Sequence, residues 1–503
     1  MRSFGMSSVW LSIISAWCCT SFLIGAVHAQ PRYLGAGSCN GSNCHASKRV
    51  GSDYIRQNEY NTWQLKDKHA KAYDVLHRER SQIIVRNLKL PQPVKATQLP
   101  QCLTCHSFST SLQEASANLQ QAKVKQYLED GVSCEACHGS ASEWIGPHLH
   151  RKHRRSGHSK TAIGMRDTKD LMKRAKLCVS CHLGDGKERN VDHQLIAAGH
   201  PALSFELNRY MEIMPPHWQE KSKDKWLETR RWAYGQAQSL RAIMQRTATH
   251  AQSATKWPEF AEFNCSSCHH EVRNTTSVYY ARPSGWAKRR NRNWQLEIRD
   301  EWRPSWRQQR EHPGRIGVPP WDRSRYLLLR QLAKQLEPEQ PSGLERKLNA
   351  FETLMANWWT AKPDRIVDTA HQVMDLLDGA IIPKLQTMQF NAPDVLNMLQ
   401  GISKDGAAIA DTSIFAAEQV LNSLISLYQN YRDHAQHVDT KSIDNILRQA
   451  SEILRNYDVN VNPDNRSQSI EHVSKTFKAH INKLHQLFSQ SDQSHLKTES
   501  SSQ

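Results

Sequence analysis

The stretch Asp130-Gly-Val-Ser-Cys134-Glu-Ala-Cys137-His138 ends in two cysteines that are separated by two residues and followed directly by a histidine. We call this pattern a box and number the boxes along the chain, so that this stretch carries box 3. The same pattern recurs in box 2 (Cys102, Cys105, His106), box 4 (Cys178, Cys181, His182) and box 5 (Cys265, Cys268, His269). Box 1 (Cys39, Cys44, His45) is a variant with four residues between its cysteines.

The Cys-x-x-Cys-His box is the attachment signature of haem c. Two thiols form thioethers with two vinyl groups on one edge of the porphyrin, and the histidine that follows then binds the iron axially. Two intervening residues place both sulfurs on one side of a single helical turn. Four intervening residues require a looped turn, which Gly41 and Asn43 favour.

Cysteine usage supports the same interpretation. The chain has twelve cysteines, of which Cys18 and Cys19 fall in a predicted signal peptide and the rest all belong to the five boxes. Disulfides would not require a histidine after every second cysteine, and structural zinc usually pairs two Cys-x-x-Cys units, whereas five is an odd number. We therefore predict five covalently attached haem c groups, in which the five box histidines bind iron.

Other histidines in the first half of the chain are candidates for the second axial ligand. A single histidine is more often a surface residue or a hydrogen-bonding residue of the core, but beside five haems iron ligation becomes the favoured reading. His217 in Met214-Pro-Pro-His217-Trp is one alternative. The predicted distal ligands are His69, His148, His193 and His200.

Four motifs give the chain a resemblance to a known family. They are Trp63…His69-Ala…Tyr73, Gly131-Val-Ser-Cys134-Glu-Ala-Cys137-His138-Gly139, Ala197-Ala-Gly-His200-Pro and Phe260-Ala-Glu-Phe-Asn-Cys265-Ser-Ser-Cys268-His269-His270. Over residues 33–325 the chain resembles bacterial multihaem cytochromes c, the family that contains the tetrahaem electron acceptor of hydroxylamine oxidoreductase. The resemblance implies haems stacked in parallel and perpendicular pairs, with two histidine ligands on most irons. The chain departs from the family in its fifth box and its long cysteine-free tail.

The first residues have the pattern of a secretory signal. Arg2 is followed by a mostly apolar run from Val9 to Val27, and Ala26-Val-His-Ala29 is a small-x-small cleavage site. An uncleaved membrane anchor is the alternative, but several serines make the run polar for that role. We predict cleavage near Ala29 and a periplasmic protein, because haem c is attached outside the cytoplasm.

The uneven distribution of the boxes predicts a mainly α fold in which helices surround stacked haems and an α-helical bundle follows. Apolar residues recur at steps of three and four in the C-terminal part, as in Phe477, Ile481, Leu484 and Phe488. The predicted segments are a signal peptide (1–29), a pentahaem cytochrome c domain (30–274), an Arg/Trp-rich connector (275–330), a C-terminal helical domain (331–490) and a disordered tail (491–503).

The chain carries a formal net charge of +17, which counts side chains only. Ionised propionates on five haems would offset roughly a third to a half of it. Nucleic-acid binding is therefore a poor inference from the charge, and export disfavours it further. The expected partners are other redox proteins, either acidic or membrane-bound. The C-terminal helices could also form a homo-oligomer or attach the chain to a larger complex.

These features predict an electron-transfer protein. An iron with two histidine ligands has no free coordination position, so electrons pass through it while substrates cannot bind. The alternative is a multihaem oxidoreductase, in which one open iron acts on a small nitrogen or sulfur compound. His153, His158, His217 or His270 would then serve as proton donors.

Overall fold

The computed structural model describes residues 32–51, 55–107, 121–150, 160–220, 222–253, 255–264, 270–272, 278–280, 321–322, 324, 326–337, 342–410, 413–434, 439–457 and 470–500. This part of the chain is mainly α-helical, as predicted from the sequence. Box 5, the signal segment 1–29 and residues 281–320 of the connector lie outside the described residues.

The N-terminal part consists of short helices. They are α1 (Glu59–Lys66), α2 (Glu79–Asn87), α3 (Pro100–His106), α4 (Gln121–Glu129), α5 (Cys134–His138), α6 (Leu171–His182), α7 (His193–Ala198) and α8 (Leu207–Ile213). Single 3-10 turns occur at Ala36–Cys39, Lys68–Lys71, Asp74–His77, Ala96–Gln98, Pro147–Leu149, Lys160–Ile163 and Phe260–Glu262. Boxes 2, 3 and 4 each end the helix that carries them, because α3, α5 and α6 stop at the box histidine.

Local sequence explains these helix limits. Pro100 begins α3, where its missing N–H costs nothing. The Asp170 carboxylate accepts hydrogen bonds from the backbone N–H groups of Met172 and Lys173 at the start of α6. Gly139 follows α5 at a φ of 85°, which a glycine adopts without strain, and the chain turns away directly after His138.

The second part of the fold is a bundle of longer helices. These are α9 (Leu227–Ala251), α10 (Tyr326–Leu336), α11 (Gly343–Met355), α12 (Pro363–Leu376), α13 (Ile382–Thr387), α14 (Ala392–Ala410), α15 (Ile414–Arg432), α16 (Thr440–Tyr457) and α17 (Ile470–Ser500). A π-helical turn, Leu377–Ile381, joins α12 to α13. Strands β1 (His270–Val272) and β2 (Val278–Tyr280) form an antiparallel hairpin.

One apolar core extends through the bundle, from Trp232 in α9 to Phe488 in α17. The predicted stripe on α17 is buried in it at all four of the positions named above. The Ser413 hydroxyl accepts the N–H of Ala416 at 3.1 Å and so caps α15. The bundle is therefore held mainly by apolar side chains of the chain itself.

A row of buried polar side chains follows one face of α15: Gln419, Ser423, Ser426 and Asn430. Their partners lie in the segment that leaves the short helices. Trp232 Nε1 donates to Ser423 Oγ at 2.8 Å, and Ser426 Oγ donates to Glu206 Oε2 at 2.9 Å. Thr229 Oγ1 donates to Asn430 Oδ1 at 2.9 Å. The bond between Ser426 and Glu206 attaches the bundle to the N-terminal part, whereas the other two join α9 to α15 within the bundle.

Two structural facts bear on the predicted segments, whose limits stay predictions. The bundle core begins with α9, inside the segment 30–274 that was assigned to the haems. Helix α17 continues to Ser500, although disorder is predicted from residue 491. Once the buried face of α17 has formed its first turns, each added residue extends the helix at little cost.

A search of the described residues for a helix that is long and apolar enough to span a bilayer found none.

Candidate functional site

The short helices enclose a cavity of about 2390 Å³. All cysteines and histidines of boxes 1 to 4 line it. The predicted distal ligands His69, His148 and His200 line it too, and so does His217. A typical small-molecule site measures about 300–1,000 Å³, so this cavity has room for several ligands of that size.

Box 1 reaches the cavity through a tight turn after the 3-10 turn Ala36–Cys39. The N–H groups of Cys44 and Ala46 both donate to the Gly41 carbonyl, at 2.8 and 3.0 Å. A side chain at Gly41 would bring its Cβ within 2.9 Å of Cys44 Sγ. The longer spacing of this box is thus accommodated by a tight turn closed on the Gly41 carbonyl, and the missing side chain of Gly41 leaves room for the Cys44 sulfur.

The four boxes approach one another in pairs. The thiol of Cys39 in box 1 contacts the thiol of Cys134 in box 3. The thiol of Cys105 in box 2 likewise contacts that of Cys181 in box 4. Groups attached at these cysteines would therefore be close neighbours.

Three box histidines lie next to a predicted distal histidine. The pairs are His45 with His148, His106 with His200, and His182 with His69, and their ring centres are 6.3, 6.4 and 6.1 Å apart. A metal–imidazole nitrogen bond is about 2 Å long and the ring centre lies about 1.2 Å beyond that nitrogen, so two imidazoles on opposite sides of one metal have centres about 6.4 Å apart. All three spacings fit two axial ligands of one iron.

Aromatic rings in ordinary contact also have centres about 4.5–7 Å apart, so the spacing alone does not identify a ligand pair. The composition of the pairs is more specific, because each joins one box histidine to one histidine outside the boxes. The hydrogen bonds of the rings give a second, independent indication.

In two of these histidines a carboxylate binds Nδ1. His45 Nδ1 lies 2.9 Å from Glu59 Oε2, and His69 Nδ1 lies 2.9 Å from Asp67 Oδ1. These hydrogen bonds raise the pKa of His45 and of His69. Burial opposes ionisation of Asp67, but interactions with the imidazoles of His217 and His69 outweigh it and hold its pKa well below the usual range.

In three others a backbone carbonyl accepts the Nδ1 proton. The acceptors are Ala72 O for His106 at 3.0 Å, Pro201 O for His200 at 2.8 Å and Ile145 O for His148 at 2.5 Å. Burial lowers the pKa of each of these three histidines, which keeps them neutral. A neutral imidazole that donates from Nδ1 has an unprotonated Nε2, the atom that binds a metal.

His182 is placed by packing instead. Its ring stacks on Phe205 with centres 5.1 Å apart, and Tyr210 meets it edge-on at 4.9 Å. Burial lowers the pKa of His182 to about 4, so its imidazole is neutral at physiological pH. This histidine too can offer an unprotonated nitrogen to a metal.

His138 of box 3 differs from the other three box histidines. None of the histidine rings in the described residues is paired with it. Burial and the positive charges of its surroundings lower its pKa to about 3. Its Nδ1 is buried and has no hydrogen-bond partner within the described part of the chain. The iron of box 3 would therefore have a proximal ligand but no evident distal one among these residues.

His217 lies near this box without forming a ring pair. Its Nε2 is 3.1 Å from Asp67 Oδ2. Both atoms are buried, and neither has a hydrogen-bond partner within the described part of the chain. Asp67 thus lies between two imidazoles, with Oδ1 against His69 and Oδ2 against His217.

His193 is not brought to the cavity. Its ring lies 5.8 Å from that of Phe260, and its backbone N–H donates to Glu259 Oε1 at 2.8 Å. Phe260 is five residues before Cys265, so His193 lies beside the segment that leads into box 5. Because box 5 lies outside the described residues, ligation by His193, and by His269, stays a prediction.

The cavity wall is rich in cations. Its acidic residues are Glu59 and Asp67, whereas its basic ones are Lys66, Lys68, Arg78, Arg80, Lys160, Arg166, Lys169, Lys173, Arg174, Lys176 and Arg189. Burial lowers the pKa of Lys160, which indicates that this ammonium group is partly desolvated. Arginine and lysine bind carboxylates, so such a wall suits ligands that carry several of them, as haem propionates do.

The residues of this cavity therefore fit haem in three respects. The thiols are grouped in twos beside a histidine, three imidazole pairs have the spacing of axial ligands, and the wall supplies cations for propionates.

Comparison with known proteins agrees with this fit. Residues 39–139, which contain boxes 1 to 3, match the sequence model of the family described as cytochrome c554 and c-prime. The match supports a c-type cytochrome with covalently attached haem c. No curated protein matched the chain, and no solved structure did.

The sequence pattern did not single out the two carboxylates of this site. Asp67 caps the turn Lys68–Lys71 by accepting the backbone N–H of His69 at 2.9 Å, and a cap residue two positions before a candidate ligand is a usable signal. Glu59 lies fourteen residues after its partner His45, and no local pattern connects them. Only the tertiary structure identifies Glu59.

Proposed function

We propose that this protein is an exported c-type cytochrome that carries electrons between redox partners through five haems, most of which have two histidine ligands. The three imidazole pairs are the observation that carries the proposal. Each pair would occupy both axial positions of an iron, so that small molecules could not bind there.

The ring spacings support a ligand pair for each of three boxes. The iron of box 1 would be held by His45 and His148, that of box 2 by His106 and His200, and that of box 4 by His182 and His69. We also propose His193 as the partner of His269 in box 5, on the weaker ground that it adjoins the segment leading there. When bound, haem supplies reversible one-electron chemistry.

The residues of the chain have other tasks in this proposal. The thiols fix the haems to short helices and, in box 1, to a turn, and the Nδ1 acceptors orient five of the six paired imidazoles so that Nε2 faces the iron. Contacts of box 1 with box 3 and of box 2 with box 4 support two closely packed haem pairs. Close packing would allow electrons to pass along the chain of haems and several to be stored together.

The setting of the protein rests on the sequence. We propose that residues 1–29 direct export to the periplasm and are removed near Ala29. The partners would be redox proteins, acidic or membrane-bound, rather than nucleic acid. The C-terminal bundle would serve assembly, as a homo-oligomer contact or as the attachment to a larger complex.

The mass of the purified, exported protein tests the central claim. The expected mass is that of the chain from Gln30 onward plus five haems, and the pyridine haemochrome spectrum should show thioether-linked haem. A mass that corresponds to four haems would mean that one box carries no haem, most simply the irregular box 1 or box 5. A colourless product with unmodified thiols would overturn the proposal.

A second candidate function arises from box 3. His138 has no imidazole partner among the described residues, which supports an iron that is open on its distal side. His217, next to the buried Asp67 carboxylate, could then deliver protons to a small nitrogen or sulfur compound.

Electron paramagnetic resonance of the oxidised protein separates the two functions. A high-spin ferric signal that changes when cyanide is added would indicate an open iron and favour the oxidoreductase. Wholly low-spin signals would exclude an open site and leave electron transfer.

A further inference from the structure

The ligand pairs differ in what their Nδ1 atoms touch. In the pair of box 2, both Nδ1 atoms donate to neutral backbone carbonyls, those of Ala72 and Pro201. In the pair of box 4, His69 donates to the Asp67 carboxylate, and in the pair of box 1, His45 donates to the Glu59 carboxylate.

Asp67 is well placed to influence its imidazole. Its side chain is only 3% exposed, and Oδ1 accepts both the backbone N–H and the Nδ1–H of His69 at 2.9 Å. Charges interact strongly where water is excluded. Glu59 is more exposed, at 19%, but its Oε1 is fixed by the backbone N–H groups of Arg56 and Gln57, so that Oε2 faces His45.

We infer that Asp67 and Glu59 are positioning residues that lower the reduction potentials of the irons of boxes 4 and 1 below that of box 2. The inference rests on the proposed function, because it requires haem at these boxes.

The physical reason has two parts that act in the same direction. A carboxylate that accepts the Nδ1 proton makes the imidazole a stronger electron donor, which favours ferric over ferrous iron. The negative charge itself also stabilises the more positive oxidation state. Each reduction takes up one electron from an added reductant, with no bond made or broken.

The size of the effect can be bounded. Loss of a residue that hydrogen-bonds a metal-ligating histidine typically changes the affected equilibrium about 10- to 100-fold. For a one-electron couple, a tenfold change corresponds to about 59 mV.

The principal test is the substitution Asp67→Asn. Asparagine keeps an oxygen that can accept both N–H groups of His69, but it lacks the charge, so the fold and the cap should persist. The control is Asp74→Asn, which removes the same charge from an exposed residue that pairs with Lys71 at 3.9 Å. Glu59→Gln provides the corresponding variant for box 1.

The readout is a redox titration with dithionite, followed by visible absorbance and by electron paramagnetic resonance. In Asp67→Asn the iron of box 4 should become reducible at a potential higher by about 59 mV or more, which corresponds to at least a tenfold change. Glu59→Gln should shift the iron of box 1 instead, and Asp74→Asn should shift neither. The box 2 iron is an internal reference in all three.

The haem content of each variant, measured by mass, separates the possible failures. A wild-type protein without haem would refute the proposed function itself. Fully loaded variants with unchanged potentials would refute this inference and leave the proposed function intact. If Asp67→Asn does not accumulate with its haems, Glu59→Gln decides the question at box 1.

Discussion

The imidazole planes of His45 and His148 lie within 15° of parallel, whereas the planes of the pairs His106–His200 and His69–His182 are 80° and 79° apart. Hydrogen bonds to fixed acceptors hold five of these six rings, so the angles belong to the fold rather than to free rotation of the side chains.

The ring angles predict the magnetic spectrum of the oxidised protein. Two iron d orbitals can interact with the axial imidazoles. Parallel imidazoles interact with the same one of them and so separate the two orbitals in energy, which gives a rhombic low-spin signal. Perpendicular imidazoles leave the two orbitals nearly equal, which gives a highly anisotropic signal. We expect one rhombic signal from box 1 and two highly anisotropic ones from boxes 2 and 4. A spectrum without any highly anisotropic component would contradict the pairs proposed here.

The substitution His148→Ala tests one pair directly. The thioethers of Cys39 and Cys44 and the ligand His45 remain, so we expect an unchanged haem count by mass. The iron of box 1 should lose its distal ligand, and the rhombic signal should be replaced by one high-spin signal. The exposed neighbour His150 provides the control, because His150→Ala should leave the spectrum as it is. A rhombic signal that survives in His148→Ala would mean that another residue ligates this iron.

The boxes were readable from the sequence because the covalent chemistry requires three residue types at fixed local spacing. The candidate distal ligands were less readable, because a histidine such as His200 comes beside a box histidine only through tertiary structure. The sequence could propose His69, His148, His193 and His200 as a set, but it could not assign each to a box. The sequence also could not distinguish His138 from the other box histidines. His138 differs because its buried Nδ1 has no hydrogen-bond partner among the described residues.

The apolar stripes of the bundle were also readable, since the helical period connects them locally. The polar row on α15 was not. Ser423 and Ser426 belong to a residue type that is mostly exposed, and their burial depends on Trp232 and Glu206, far away in the chain. Buried polar residues are predictable only when their hydrogen-bond partners are known.

A buried charge cluster predicts a dependence of stability on pH. Burial opposes ionisation of Glu262, but Arg246 and His250 outweigh it and lower its pKa from 4.5 to about 2. A carboxyl with a lowered pKa in the folded state stabilises the fold above its unfolded pKa, and that contribution is lost as the pH falls toward 2. The shift corresponds to about 3 kcal/mol at neutral pH.

The variant Glu262→Gln isolates this contribution. At neutral pH it should lower the free energy of unfolding by about 3–5 kcal/mol, because Arg246 is left buried without its partner. The difference from the wild type should narrow between about pH 4.5 and pH 2, as Glu262 of the wild type becomes protonated. Urea unfolding at several pH values measures this difference. The control is Glu228→Gln, because the Glu228 side chain is more exposed. A difference that stays constant over this range would show that Glu262 does not titrate in the folded protein as described.

Trp232 provides the last prediction, on how α9 is held in the bundle. Its side chain is fully buried, and Nε1 donates to Ser423 Oγ across the contact between α9 and α15. Trp232→Ala should lower the free energy of unfolding by about 3–5 kcal/mol, because it removes a large buried ring and leaves a cavity.

The control for this substitution is Trp359→Ala, since Trp359 is 45% exposed and its loss should cost far less. Far-UV circular dichroism in urea reports the helices, and the haem absorbance reports the iron ligands. Trp232 lies in the bundle core, while the haems are held covalently. In Trp232→Ala the urea midpoint measured by circular dichroism should therefore fall more than the midpoint measured by the low-spin haem absorbance. Equal stability of the two variants would mean that the packing of Trp232 contributes little to the stability of the bundle core.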